Sequence, residues 1–239
     1  MNNLDEFIDK ANKIDLSLDE NQLEAFAKFM DFMIQWNDRV RLTSITEETE
    51  VIDKHFVDSL TALKAKVIKN HDKILDLGTG GGFPGIPLKI MNPTINLVML
   101  DSRLKKIEYL KEVIKVFNLK DTTAIHGRAE DYGQLPEFRE TFDVVVSRAV
   151  ANLTVLSEYC LPFVKKGGYF IAMKGTKSDE EINEAKKAIK LLGGAIEDVM
   201  EFNLPETDYD RSIVLIKKIN HTPKKYPRNP GKPKKSPIS

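Results

Sequence analysis

The chain of 239 residues contains one cysteine, Cys160, which excludes an internal disulfide and argues against a cysteine-based metal site. No apolar run approaches the roughly 20 residues that a membrane helix requires. The first ten residues, MNNLDEFIDK, are acidic and lack the basic start and apolar centre of a signal peptide. A cytoplasmic protein without a membrane partner is expected. The four histidines, His55, His71, His126 and His221, are scattered without metal-ligand spacing, so no metal is expected. Nothing in the sequence demands more than a monomer.

Negative charge is missing from one end. Residues 211–239 hold nine Lys or Arg and no Asp or Glu, leaving 27 cations against 36 acids in the remainder of a chain whose net charge is zero. Five of the eleven prolines fall in the same stretch, which disfavours a helix or a central strand there. Residues 221–239 read as an extended basic arm. Lys224, Lys225 and Arg228, with Tyr226 among them, suit a nucleic-acid contact; the alternative is a solvated tail that aids solubility. As a nucleic-acid contact, the arm would release counterions from phosphates and weaken steeply with salt.

With 41% apolar and 30% charged residues, the chain has enough apolar material for a full core. Residues 1–70 read as a helical extension. Leu23, Phe26, Ala27, Met30, Met33 and Ile34 recur at helical spacing behind a cap at Asp19, and a second helical stretch runs from His55 to Ile68. From residue 71 to 220 short apolar runs alternate with amphipathic stretches. Strands are predicted at Lys73–Leu77, Asn96–Leu100, Thr122–His126, Phe142–Ser147, Tyr169–Lys174, Ile196–Phe202 and Ser212–Lys218. Helices are predicted at Pro84–Met91, Arg103–Phe117, Leu153–Val164 and Ser178–Leu192. This alternation implies an α/β fold with a doubly wound, mostly parallel seven-stranded sheet. A short link between the last two strands makes one of them antiparallel.

Ligands of such sheets bind outside the carboxyl ends of the strands. The loop after the first strand, Asp76–Gly85, is DLGTGGGFPG, and its glycines let a ligand approach the backbone closely. The generic G-x-G-x-x-G spacing at Gly80, Gly82 and Gly85 is weak support for a dinucleotide. Asp76 at the strand end would repel a pyrophosphate and suits a cationic or hydroxyl-bearing group. After the second strand, Asp101 is placed either to hold a ribose or to cap the helix near Arg103. The third loop contains Ala129 and Glu130, suited to an adenine edge. In the fourth, Ser147–Leu153, Arg148 is either a structural ion-pair partner or a substrate contact. An Asn/Asp-Pro-Pro-aromatic motif for amino-group methylation is missing there. Cys160 lies in an apolar helical pattern and not where a covalent nucleophile is needed.

These segments carry a resemblance. Trp36-Asn37, His55-Phe56-Val57-Asp58-Ser59, DLGTGGGFPGIPL, LDSRLKKIEYL, GRAED, SRAVANL, Met173-Lys174-Gly175 and PKKYPR together resemble the bacterial rRNA small-subunit methyltransferase G family, within the class I S-adenosylmethionine-dependent methyltransferases. The resemblance spans nearly the whole chain. It implies transfer of a methyl group from S-adenosylmethionine to N7 of a guanine in 16S rRNA. It also implies that Gly78, Gly80, Phe83, Ala129, Glu130 and Arg148 contact the cofactor, that Asp101 holds the ribose, and that Asp76 lies near the methionine ammonium. Arg148 is then the expected residue at both cofactor and guanine, and Lys174 an added phosphate contact. Removal of residues 223–239 is expected to weaken RNA binding more than cofactor binding.

Overall fold

The computed structural model describes residues 1, 3–148, 151–176 and 179–238. Seven strands are formed by Lys73–Leu77 (β1), Asn96–Asp101 (β2), Thr122–His126 (β3), Phe142–Arg148 (β4), Val164–Lys174 (β5), Gly194–Asn203 (β6) and Asp210–Lys218 (β7). They make one sheet in the order β3-β2-β1-β4-β5-β7-β6. The first five pair in parallel, and β7 runs antiparallel to both of its neighbours. Strand order reverses direction between β1 and β4, where a doubly wound sheet opens a crevice for a ligand.

Helices cover both faces. The N-terminal group comprises α1 (Leu4–Asn12), α2 (Glu20–Val40), α3 (Glu48–Val51), a π-helical turn over Ile52–Val57, α4 (Asp58–Leu60) and a 3-10 turn over Thr61–Ala65. The remaining helices are α5 (Gly85–Met91), α6 (Leu104–Val116), α7 (Ala129–Tyr132), α8 (Leu153–Cys160), α9 (Asp179–Leu191) and α10 (Lys232–Lys235). Helix α2 begins where the sequence indicates. The Asp19 side chain accepts from the Gln22 amide at 2.8 Å, and the Gln22 side chain accepts from the Asp19 amide at 2.9 Å, a reciprocal cap.

Strand alternation divides the interior into two cores. Ile74, Val144, Val146, Ile171, Met173 and Ile213 face one way, toward Phe26, Phe29, Phe56, Ile86 and Leu110 from the helices. Leu75, Val145, Phe170, Ala172 and Val214 face the other way, toward Leu156, Cys160, Ala188 and Ile189. The N-terminal helices therefore share a core with the sheet. An aromatic chain links them to the glycine loop: Phe7 to Phe26 at 5.0 Å, Phe26 to Phe56 at 5.0 Å, and Phe29 to Phe83 at 5.5 Å.

Three departures from the sequence reading have local causes. Strand β5 starts at Val164, five residues before Tyr169, because Val164 pairs with Phe142 ahead of a register shift that the Lys165-Lys166-Gly167-Gly168 segment conceals. The polar GRAED turn winds into α7. The arm 221–239 is not a free extended segment: Tyr226 and Ile238 are buried in the second core, and Lys232–Lys235 forms a helical turn with Pro233 in its first turn, a position where proline is tolerated. Ala149 and Val150 of the fourth loop, and Ser178 at the expected start of α9, lie outside the described residues.

Candidate active site

The carboxyl ends of β1, β2 and β3 surround a cavity of about 610 Å³. Gly78 and Gly80 line it from the first loop, Asp101 from the second, and Ala129 and Glu130 from the third. Five residues expected at the cofactor thus share one cavity. The first loop turns back because Gly78, Gly80 and Gly82 all hold positive φ, a region open to glycine without strain.

Asp101 anchors two loops at the edge of the cavity. One carboxylate oxygen accepts from the Arg103 amide at 2.8 Å, fixing the entry to α6, and the other accepts from the Gly80 amide at 2.9 Å. It therefore ties the second loop to the glycine turn while bordering the cavity. Glu130 is buried, with one oxygen accepting from the Gly231 amide at 2.9 Å.

Asp76 does not line this cavity. It is fully buried beneath the glycine loop, where one oxygen accepts from the Thr79 hydroxyl at 2.6 Å and the Gly85 amide at 2.8 Å. Its other oxygen is buried with no hydrogen-bond partner among the described residues. Burial pushes its pKa up to about 6, against the pull of those two hydrogen bonds. An unpartnered carboxylate oxygen costs free energy, and a cationic ligand group or a water would relieve that cost.

Arg148 builds a second region. It shares the face of Val144 and Val146, so its side chain enters the layer of N-terminal helices. There its guanidinium donates to the Lys54 carbonyl and to Asp58, both at 2.7 Å, and reaches His55 Nδ1 at 3.3 Å. Asp58 accepts a second hydrogen bond, from Arg211 Nε, at 2.8 Å. The His55 ring stacks on Phe83 at 4.5 Å with an interplanar angle of 15°, and the Arg148 guanidinium lies 5.3 Å from the Phe83 centroid. Burial, reinforced by the charge of Arg148, depresses the His55 pKa to about 3. The ring is therefore neutral: Nδ1 accepts from Arg148, and Nε2 lies 2.8 Å from the Thr43 hydroxyl.

Phe83 is thus enclosed by His55, Phe29 and Phe56 and is 6% exposed. It supports Arg148 from below and does not border the 610 Å³ cavity. A separate cavity of about 380 Å³ opens beside Arg148, bounded by Lys54, His55, Asp58, Lys174 and Arg211. Lys174 lines it while paired with Glu181 at 2.8 Å. The sequence reading gave no role to His55, Asp58 or Arg211. Their signal was the spacing of His55 and Asp58 on one helical segment, beside an arginine whose strand parity points it at helices.

The tail cations separate into two groups. Arg228 forms a bidentate pair with the buried Glu158, through Nε at 2.8 Å and Nη2 at 2.6 Å. The guanidinium, expected from the sequence to contact RNA, here satisfies a buried carboxylate. Lys224 and Lys225 are exposed, the latter 5.3 Å from the Tyr226 ring centroid.

Comparison with known proteins agrees with this architecture. The family model described as rRNA small subunit methyltransferase G matches residues 22–213. The chain is 51% identical to the Ribosomal RNA small subunit methyltransferase G of Desulforamulus reducens over 96% of this chain and 95% of that protein. It is 48% identical to the protein of the same name from Clostridium novyi, covering 95% and 94%. Among solved structures, a methyltransferase in complex with the Trm112 activator from Haloferax volcanii superimposes with a TM-score of 0.60 at 15% identity, covering 79% of this chain and 98% of that one. Fibrillarin from Aeropyrum pernix, with natively bound S-adenosyl-L-methionine, gives 0.54 at 18% identity, covering 67% and 76%. These structures share the fold of the sheet domain. With a family match across most of its length and relatives near half identity over almost all of it, the chain belongs to the rRNA small subunit methyltransferase G family.

Proposed function

We propose that the protein binds S-adenosylmethionine in the 610 Å³ cavity and methylates N7 of a guanine in 16S rRNA, presented beside Arg148. The observation that carries this reading is the placement of Arg148. It sits at the end of β4, next to β1, so the region it organises adjoins the glycine loop across the switch point. The residues present fit the cofactor. The cavity offers backbone close to glycines, the acidic side chains of Asp101 at the end of β2 and Glu130 just beyond β3, and an unpartnered buried oxygen on Asp76 behind the loop. When bound, S-adenosylmethionine supplies an electrophilic methyl group on a sulfonium.

Guanine N7 carries a lone pair and no proton, so its attack needs no general base. The site agrees, since neutral His55 already has both ring nitrogens engaged and Asp58 is committed to two arginines. The work of the chain is then alignment and exclusion of water. Phe83, His55 and Asp58 hold Arg148 in one orientation. A guanidinium that reads guanine usually takes O6 and N7 together; here N7 must stay free, so Arg148 engages O6 or a phosphate. Lys54, Lys174 and Arg211 give the 380 Å³ cavity a cationic rim suited to an RNA backbone. Lys224 and Lys225 add exposed charge for the same partner.

The test is direct. Small subunits from a strain lacking the gene are incubated with the purified protein and labelled S-adenosylmethionine, and 7-methylguanine is mapped in the 16S rRNA. One guanine gains label at N7, and the Arg148→Ala variant fails to label it. Labelling of a different atom, or none, overturns the assignment.

A further inference from the structure

We infer that the C-terminal segment Gly231–Lys235 is a wall of the cofactor cavity, and that its docking sets how tightly the cofactor is held. This rests on the methyl-donor reading above. Gly231 and Lys234 border the same cavity as Gly78, Asp101 and Glu130. Gly231 adopts φ 81°, turning the chain so that its amide meets Glu130, and α10 follows with Lys234 at the cavity.

The segment is delivered there by a strap with anchors on both sides. Upstream, the Arg139 guanidinium donates to the carbonyls of Thr222 and Tyr226, each at 2.7 Å, and of Gly133 at 2.9 Å. Gln134 donates to the Pro227 carbonyl at 2.7 Å, and Arg228 closes on Glu158. Downstream, Ile238 is buried in the second core. A solvated tail has no use for a buried counter-ion and an arginine committed to its carbonyls. The strap therefore has a defined path, and that path ends on a carboxylate of the cavity. Glu130 stands at the start of α7, directly after the third strand's loop, so the Gly231 contact fixes the orientation of a cavity wall that would otherwise face solvent. Loss of the segment leaves that Glu130 oxygen without its donor and the cavity open on one side.

S-adenosylhomocysteine binding, measured by calorimetry without RNA, tests this. The full chain is compared with a chain ending at residue 228, which keeps the Tyr226 and Arg228 anchors, and melting of both apo forms confirms folding. Truncation is expected to raise Kd by about tenfold, and a Kd within twofold of the full chain overturns the inference. Should the shortened chain fail to fold, hydrogen exchange on the full chain decides. Ligand is expected to slow the Gly231–Lys235 amides together with those at 129–132, and unchanged exchange at 231–235 overturns the inference. A full chain that does not bind S-adenosylhomocysteine refutes the methyl-donor reading instead.

Discussion

Replacing Asp58 by Asn tests whether one carboxylate holds the two arginines of the site. Asp58 is buried and accepts from Arg148 at 2.7 Å and from Arg211 at 2.8 Å, and both guanidiniums are themselves mostly buried. Asn keeps one acceptor and the shape, but turns an amide donor toward the other guanidinium and removes the charge that both need. Charge-assisted bonds are worth about 1.5–3 kcal/mol each, and breaking a buried pair costs about 3–5 kcal/mol. One retained bond and some solvent access to the arginines bring the expected loss to about 2–4 kcal/mol. For a chain of this size that lowers Tm by roughly 5–10 °C. Single-turnover methyl transfer to small subunits at saturating cofactor should slow by about 10–100-fold, because Arg148 loses its direction. Cofactor affinity should change much less, since Asp58 does not border the 610 Å³ cavity. A Tm shift under about 1 °C with an unchanged rate would show that Arg148 is placed by other contacts.

Two further outcomes are expected. The folded pKa of His55 is about 3, below the ordinary 6.5, so the unfolded chain binds its proton first and stability falls as pH drops below about 6. The wild type should lose about 1.4 kcal/mol per pH unit from this group between about pH 6 and pH 4. A His55→Asn variant should lack that increment in denaturant titrations, and parallel acid limbs would refute it. Asp76 contributes with the opposite sign, since its folded pKa is raised, but it is common to both proteins. At Gly85, a Cβ would lie 2.7 Å from the Asp76 oxygen that the Gly85 amide binds. Gly85→Ala should therefore cost about 2–3 kcal/mol and weaken S-adenosylhomocysteine binding; an unchanged melt and Kd would show that the glycine loop can shift.

The sheet was legible because its signal is local. Apolar runs such as Ile74-Leu75 and Val144-Val145-Val146 announce strands, and their ends put Gly78, Asp101, Glu130 and Arg148 at one edge. The cap at Asp19 likewise marks the start of α2, to which the fold adds Gln22 as its reciprocal partner. What escaped depends on contacts between distant segments. Asp76 reads as a ligand group, and only the fold reveals that Thr79 and Gly85 claim one of its two oxygens. That the Phe83 ring packs between His55 and Phe29 has no local signal in the sequence. The largest revision concerns the tail, where prolines and lysines describe a solvated arm by composition. Tyr226, Arg228 and Ile238 are three residues among many polar ones, and their partners lie some 70 or more positions away. Composition averages over the few anchors that decide whether a polar segment docks.

The π-helical turn at Ile52–Val57 carries a consequence for how this site is dismantled or tuned. Such a turn carries an extra residue relative to an α-helical turn, and it is a rare feature frequently found at functional sites. His55 lies inside it, and Asp58 follows it directly. In an ordinary α-helix over the same span, successive residues would stand about 100° and 1.5 Å apart, so His55 and Asp58 would leave the turn on a different relative bearing. Every side-chain type would survive, yet a different neighbour would face Phe83 and Arg148. The information stored in this turn is phase: which residue arrives at the sheet edge, set by a backbone count and not by the chemistry of any one side chain.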